Sequence, residues 1–166
     1  EMVNLFLLAG DPKKAVAMYC DAHIVKMTSE SCQILCSVLH HWGLWDAINN
    51  NGGKCSLWAP AYLKHPVVFW AQSSIQSALQ VCRYAQCLLD EYKARYGKNH
   101  AAMDTVWVCC KVMLRQMEKW LAMDEDDECR IRPKGLNMPD LLAGARATHG
   151  DKYAADLAPK VFSYTC

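Results

Sequence analysis

The residues best equipped for chemistry fall on one helical line. His23, Lys26, Glu30, Gln33, Ser37 and His40 recur at steps of three or four, which places them on a single face. A face that only meets water is usually built from Lys and Glu. This one combines two imidazoles, an ammonium, a carboxylate, an amide and a hydroxyl, so it supplies donors, acceptors and titratable groups of the kind that line a cleft. The competing reading is a solvated stripe with Lys26–Glu30 as a surface pair worth about 0.3–0.5 kcal/mol. Asp21 adds a carboxylate at the start of the same helix, where backbone N–H groups point outward and favour an anion, so that a phosphate could dock there. Cys20, just before it, is the one thiol placed at a helix start, where a reactive role competes with a purely structural one that is the stronger expectation. His65 precedes Pro66 at another helix start, where the dipole opposes protonation and keeps the imidazole available as a base; the alternative role is an ordinary cap.

A second polar line follows further along the chain. Ser73, Gln76, Gln80, Arg83 and Asp90 lie near one edge of a long helical segment and are expected to face the His23–His40 line. At the end of that segment Lys93, Arg95, Lys98 and His100 interleave with Tyr92 and Tyr96. Such a mixture lets cations hold a phosphate backbone while rings stack on bases, although a helix C-terminus also favours basic residues for its dipole alone. No Cys-x-x-Cys, His-x-x-x-His or paired Glu-x-x-His spacing occurs, and His40 and His41 diverge around the helix, so neither a metal nor another cofactor is expected.

The elements that position these groups are legible from punctuation and periodicity. Val3–Leu8, closed by Gly10, reads as a short strand or extended segment. Asp11-Pro12 starts a helix running to about Tyr19, because Pro lacks the N–H that would go unpaired at a first helical position. Asp21 is expected to cap a second helix reaching about Trp45, and Asn49–Gly53 is a breaker. An uninterrupted pattern from Pro66 to Tyr96, ended by Gly97, predicts the longest helix. A fourth helix, from about Ala101 to Met123, carries Met103, Val106, Trp107, Cys110, Met113, Leu114, Met117 and Leu121 as its core-facing stripe. The acidic run Asp124–Glu128 reads as a solvated loop, followed after Pro133 by one or two weak helices. The expectation is a mainly α fold: a compact domain of four to six helices with at most one short N-terminal strand, occupying residues 2–166.

Composition excludes several classes. The 166 residues are 52% hydrophobic and 21% charged, a balance that buries a core rather than staying disordered. Eighteen basic residues stand against seventeen acidic ones, so any nucleic-acid binding must come from a local patch. No apolar run approaches the ~18 residues that span a bilayer. Met2 is expected to be the natural start, no basic leader precedes Val3–Ala9, and the ten cysteines sit mostly inside helical patterns. Reduced thiols and a cytosolic location are therefore expected.

The block Met2-Val3-Asn4-Leu5-Phe6, Asp11-Pro12, then Cys20-Asp21-Ala22-His23-Ile24-Val25-Lys26-Met27 and Glu30 resembles a family of small uncharacterised proteins from phages, large DNA viruses and some bacteria. His65-Pro66, Trp70, Glu91-Tyr92, Arg95-Tyr96-Gly97-Lys98, His100 and Met138-Pro139-Asp140 follow in the same order as motifs of that family, so the resemblance spans about residues 2–140. Two departures stand out: Ala22 occupies a position that is Lys in the family, and the aromatic-rich tail after Asp140 is missing. The resemblance implies a viral or mobile-element setting, with the cytosol of a host cell as the location, and no particular reaction.

Such genomes carry small enzymes of nucleic-acid and nucleotide metabolism, which gives the leading expectation: a hydrolytic or glycosylase-like protein acting on nucleic acid or nucleotide. Lys26, Arg83, Arg95, Lys98 and His100 would then hold the ligand, His23 or His65 would transfer a proton, and Glu30 or Asp21 would orient an imidazole or activate water. The alternative is a non-catalytic binding module that sequesters a host protein or small ligand, anchored by Trp42, Trp45 and Trp58. A third reading, a helical metalloprotein using His23, Glu30, His40 and His65, ranks below both.

Overall fold

The computed structural model describes residues 9–50 and 57–122, which form six helices and, among the described residues, no strand. The mainly α expectation is met. The extended segment expected at residues 3–8, the acidic run 124–128, and everything that follows lie outside the described residues.

α1 (Pro12–Ala17) begins as its sequence dictates: Asp11 accepts a hydrogen bond from the Lys13 N–H, and Pro12 takes the first turn. α2 (Asp21–His41) differs from expectation at both ends. Cys20 is its N-cap residue and makes no side-chain capping bond, so Asp21 is the first helical residue rather than the cap. The helix stops at His41 because Gly43 adopts φ +71°. The Gly43 N–H then reaches the His40 carbonyl and the Leu44 N–H the Leu39 carbonyl, the two bonds of a Schellman closure. The short α3 (Trp45–Asn50) follows directly.

The pattern from Pro66 to Tyr96 is two helices, not one. α4 (Pro66–Gln72) ends where the Ser73 hydroxyl and N–H both reach the Trp70 carbonyl. Ser74 is extended and accepts from the Ser77 N–H, capping α5 (Ile75–Tyr96). A serine at an N-cap satisfies one of the orphan N–H groups of a new helix, and here that local gain breaks the run. α5 closes on Gly97 at φ +66°, and α6 (Met103–Leu121) follows after a short connection. A Cβ at position 97 would meet nothing within 4 Å. Gly97→Ala therefore carries only the left-handed backbone penalty, about 1–2 kcal/mol, readable as a lower urea midpoint with an unchanged slope.

α2, α5 and α6 surround the main core, built on Ile34, Leu35, Val38, Leu39, Val81, Ala85, Val106, Cys109 and Met113, with α4 closing it through Val68 and Ala71. The side of α6 that enters this core is Val106, Cys109 and Met113; Trp107 and Leu114, expected inside, are about half exposed. A smaller cluster of Val16, Tyr19, Ile24, Met27, Tyr84 and Leu88 joins α1, the start of α2 and the middle of α5. The candidate site sits over this smaller cluster.

Sulfur fills much of the main core. The seven cysteines among the described residues carry free thiols, and Cys32, Cys36 and Cys109 are fully buried. Cys36 is within hydrogen-bonding reach of Cys32 and Cys109, and the Cys82 thiol meets Met113 Sδ at 3.4 Å. A hydrogen bond with Cys110, together with burial, holds Cys82 well above the ordinary thiol range.

Candidate functional site

The polar line on α2 changes character along its length. His23 and Lys26 are exposed, Glu30 is buried at 7% exposure, Gln33 is intermediate, Ser37 is fully buried and His40 is exposed again. Ser37 is structural: its hydroxyl donates to the carbonyls of Gln33 and Ala61, and it accepts from the Ala61 N–H, pinning the loop that leads to α4. The Nε2 of His41 meets the Leu63 carbonyl at 3.3 Å, a second pin. The chemically useful part of the line is thus its first three members.

Lys26 Nζ lies 3.5 Å from Glu30 Oε1, with the ammonium half exposed and the carboxylate nearly enclosed. One turn before Lys26, the His23 ring stands edge-on to Tyr19 at 6.1 Å between centroids. The Tyr19 hydroxyl is hydrogen-bonded to that of Tyr84, a residue only 1% exposed on α5. An exposed imidazole therefore rests on a phenol that is hydrogen-bonded to a second phenol in the interior, and further along α2 a buried carboxylate carries a cation on its open side. Neither tyrosine was singled out from the sequence, because 65 residues separate them and only the packing of α1 and α2 on α5 brings them together. The one signal was a tyrosine at position 84 within an otherwise apolar arc of α5.

Arg95 serves this corner in a way the sequence did not suggest. Its Nε donates to Glu91 at 2.7 Å, its Nη1 to the Tyr19 carbonyl at 2.7 Å and to Asp21 at 2.9 Å, and its Nη2 to the Ala17 carbonyl at 3.3 Å. The guanidinium fork is spent on the α1–α2 connection, so Arg95 positions Tyr19 instead of holding phosphate. Its hydrogen bonds to the Glu91 and Asp21 carboxylates hold its pKa above the ordinary value. Asp21 is likewise committed, and its carboxylate already supplies the negative charge that the start of α2 favours. An incoming phosphate there would meet like charge.

Asp21 also lies elsewhere on the helix: at ~100° per residue, His23, Lys26 and Glu30 fall about 140–200° around the axis from it. On the Asp21 side, the Tyr96 hydroxyl donates to the Asp21 carbonyl at 3.3 Å, and His100 sits beside the Val25 backbone with its ring edge-on to Tyr92 at 4.7 Å. The Tyr92 and Tyr96 ring centroids are 4.7 Å apart, and Lys98, two residues beyond Tyr96, is exposed. His100 Nδ1 accepts from the Ala102 N–H, capping the approach to α6.

Burial holds the His100 imidazole below its ordinary value, and a hydrogen bond to the Val25 backbone offsets part of this. His41 is lowered as well, by burial first and by His40 second, against the Leu63 carbonyl. With both folded-state values depressed below 6.5, the unfolded chain binds more protons as pH falls beneath that value, and stability falls with it. Urea midpoints should therefore drop between pH 7.5 and 5.5, and His100→Gln should flatten that dependence; an unchanged slope in the variant would refute the assignment.

The remaining candidates stand apart. Arg83 is exposed on the solvent side of α5, 3.9 Å from Asp11. Gln76, Gln80 and Asp90 are exposed with it, while Ala78, Val81, Ala85 and Leu88 turn inward, so the second polar line faces water and not α2. Ser73 lies in the break before α5. His65 is 8% exposed and acts as the cap of α4, its Nδ1 accepting from the Val67 N–H at 3.2 Å. The loop leading to it is pinned at Ser37 and His41, about 21–27 Å beyond His23 along α2, so His23 and His65 do not share a site.

The tryptophans near the Asn-Gly loop pack against the core. Trp42 and Trp45 spend their indole N–H groups on the carbonyls of Gln72 and Trp58. Among the described residues no three His, Cys, Asp or Glu side chains are arranged to hold a metal, so His23, Glu30, His40 and His65 do not converge. None of the described helices is long and apolar enough to cross a membrane. Comparison with family models, curated proteins and solved structures yields no match to the chain.

Proposed function

We propose that this is a nucleic-acid- or nucleotide-processing protein of hydrolytic or glycosylase-like type, whose working groups are His23, Lys26 and Glu30. The observation that carries this reading is the nearly enclosed Glu30 carboxylate, 3.5 Å from the half-exposed Lys26 ammonium, one turn beyond a His23 ring that rests on the Tyr19–Tyr84 pair. A substrate phosphate held at Lys26 would lie between an imidazole and a carboxylate. Glu30 would then take a proton from an attacking water, whose oxygen forms the new bond at phosphorus or at the sugar carbon, while His23 gives a proton to the leaving oxygen or base nitrogen. Lys26 supplies positive charge where negative charge develops. The aromatic corner of Tyr92, Tyr96 and Lys98 supports the same ligand class, since rings beside an exposed cation suit an unpaired base and its phosphate. A viral or mobile-element origin and a cytosolic location belong to the same proposal.

The binding-module alternative loses its tryptophan anchors to the core and has no observation in its favour at that loop. The direct test is to incubate the full-length protein with labelled single-stranded and duplex DNA, RNA and free nucleotides, and to score strand cleavage, base release and phosphate release. Turnover in one of these that is lost in Glu30→Gln supports the proposal; turnover that survives Glu30→Gln removes the site.

A further inference from the structure

α6 carries more apolar surface than the core takes. Its inward side is Val106, Cys109 and Met113, in line with Ala102 just before it, none of them exposed. A second line, Met103, Trp107, Cys110, Leu114 and Met117, repeats at steps of four, three, four and three, and lies about 100° around the axis from the first. Trp107 is 49% and Leu114 52% exposed, and the other three are half-buried. Isolated exposed apolar side chains are ordinary. Met103 and Cys110 of this line already lean on the core, whereas Trp107 and Leu114, two turns apart on one face, leave a large indole and a leucine open, a surface that suits covering. Along its solvent edge Lys111, Arg115 and Lys119 follow at one-turn intervals, all exposed, and outnumber the exposed Asp104 and Glu118 on the same side.

Residues immediately after α6 have the complementary chemistry. Asp124–Glu128 are five consecutive acids, and Leu136, Met138, Leu141 and Leu142 supply apolar side chains after them. We infer that the segment 124–142 of this same chain docks along the outer face of α6, with its acids against Lys111, Arg115 and Lys119 and its apolar residues over Trp107 and Leu114.

Reach is sufficient. From Leu121 back to Trp107 is about 21 Å along the helix, which roughly seven extended residues span, and Leu136 lies well beyond that. The tether also gives the segment a local concentration on the order of millimolar, without loss of a second molecule's freedom. A second copy is the poorer occupant, because its capture costs the freedom of another whole molecule, which the tethered segment does not. This docking stands independently of the reading of the α2 site.

The test places the photoreactive residue p-benzoylphenylalanine at position 107 of the full-length chain, mixes light and heavy isotope-labelled protein, irradiates, and maps the cross-links by mass spectrometry. A second protein with the probe at position 114 guards against a misfolded first one. The expected result is cross-links within one chain, falling in residues 124–142, whose yield drops severalfold when Asp124–Glu128 are changed to Asn and Gln. Cross-links joining light to heavy chains would assign the face to a second copy and overturn the inference. So would cross-links only outside 124–142, or a yield indifferent to the acids.

Discussion

His23→Ala and Glu30→Gln are each expected to lower turnover by about 10²–10⁴, the range over which a positioned proton-transfer group accelerates a reaction. The two should differ in stability. His23 is exposed and contributes little packing, so its loss should change unfolding free energy by no more than about 0.5 kcal/mol. Glu30 is nearly enclosed, and Glu30→Gln keeps its shape while removing the charge that Lys26 faces, so a cost of about 1 kcal/mol is expected. Paired rate and urea-unfolding measurements separate the possibilities. Full activity in both variants would make the line a solvated face, and global unfolding would make Glu30 a member of a structural network.

Tyr84→Ala should be the most destabilising change at the site. Tyr84 is the largest fully buried side chain of the described protein and joins α5 to α1 and α2. Removing a buried aromatic side chain costs about 3–5 kcal/mol through lost transfer energy and the cavity left behind, and the hydrogen bond between the Tyr84 and Tyr19 hydroxyls goes with it. At roughly 2–4 °C per kcal/mol for a chain of this size, the thermal midpoint should fall by about 6–20 °C. Tyr84→Phe keeps the ring and should recover most of that stability. If activity nevertheless stays low in the Phe variant, the phenol participates in proton movement; if activity returns in full, Tyr84 only supports the floor of the site.

The fold was legible wherever a single residue decides a local matter. Asp11-Pro12 opens α1 and Gly97 closes α5 as read, because a fixed φ and a missing Cβ act without help from distant parts of the chain. Gly43 carries no such signal because the apolar pattern continues through Leu44 and Trp45, and Ser74 none because the residues around it suit a helix on either side. On α6 periodicity misled. Apolar residues cover two adjoining faces, and a hydrophobic repeat cannot say which of them meets the core.

The candidate site was legible as a line and not as a constellation. Spacing of three and four places His23, Lys26 and Glu30 along one side of α2, since it depends on helix geometry alone. Which members are buried, and that Arg95 spends its donors on Ala17, Tyr19 and Asp21, follows from how α1 and α2 lie on α5. No local rule carries that information. The same packing brought Tyr19 to Tyr84 and kept His65 away.

The sulfur-filled core also gives the molecule a chemical clock. Cys32, Cys36 and Cys109 present no surface to solvent in the folded chain, so an alkylating reagent reaches them only when α2 and α6 part. Their modification rate, compared with that of exposed Cys20, reports how often the domain opens under native conditions. During synthesis the order reverses: until α6 arrives, Cys32 and Cys36 are open to passing oxidants, and the three-helix closure that later shields them is itself what ends their vulnerability.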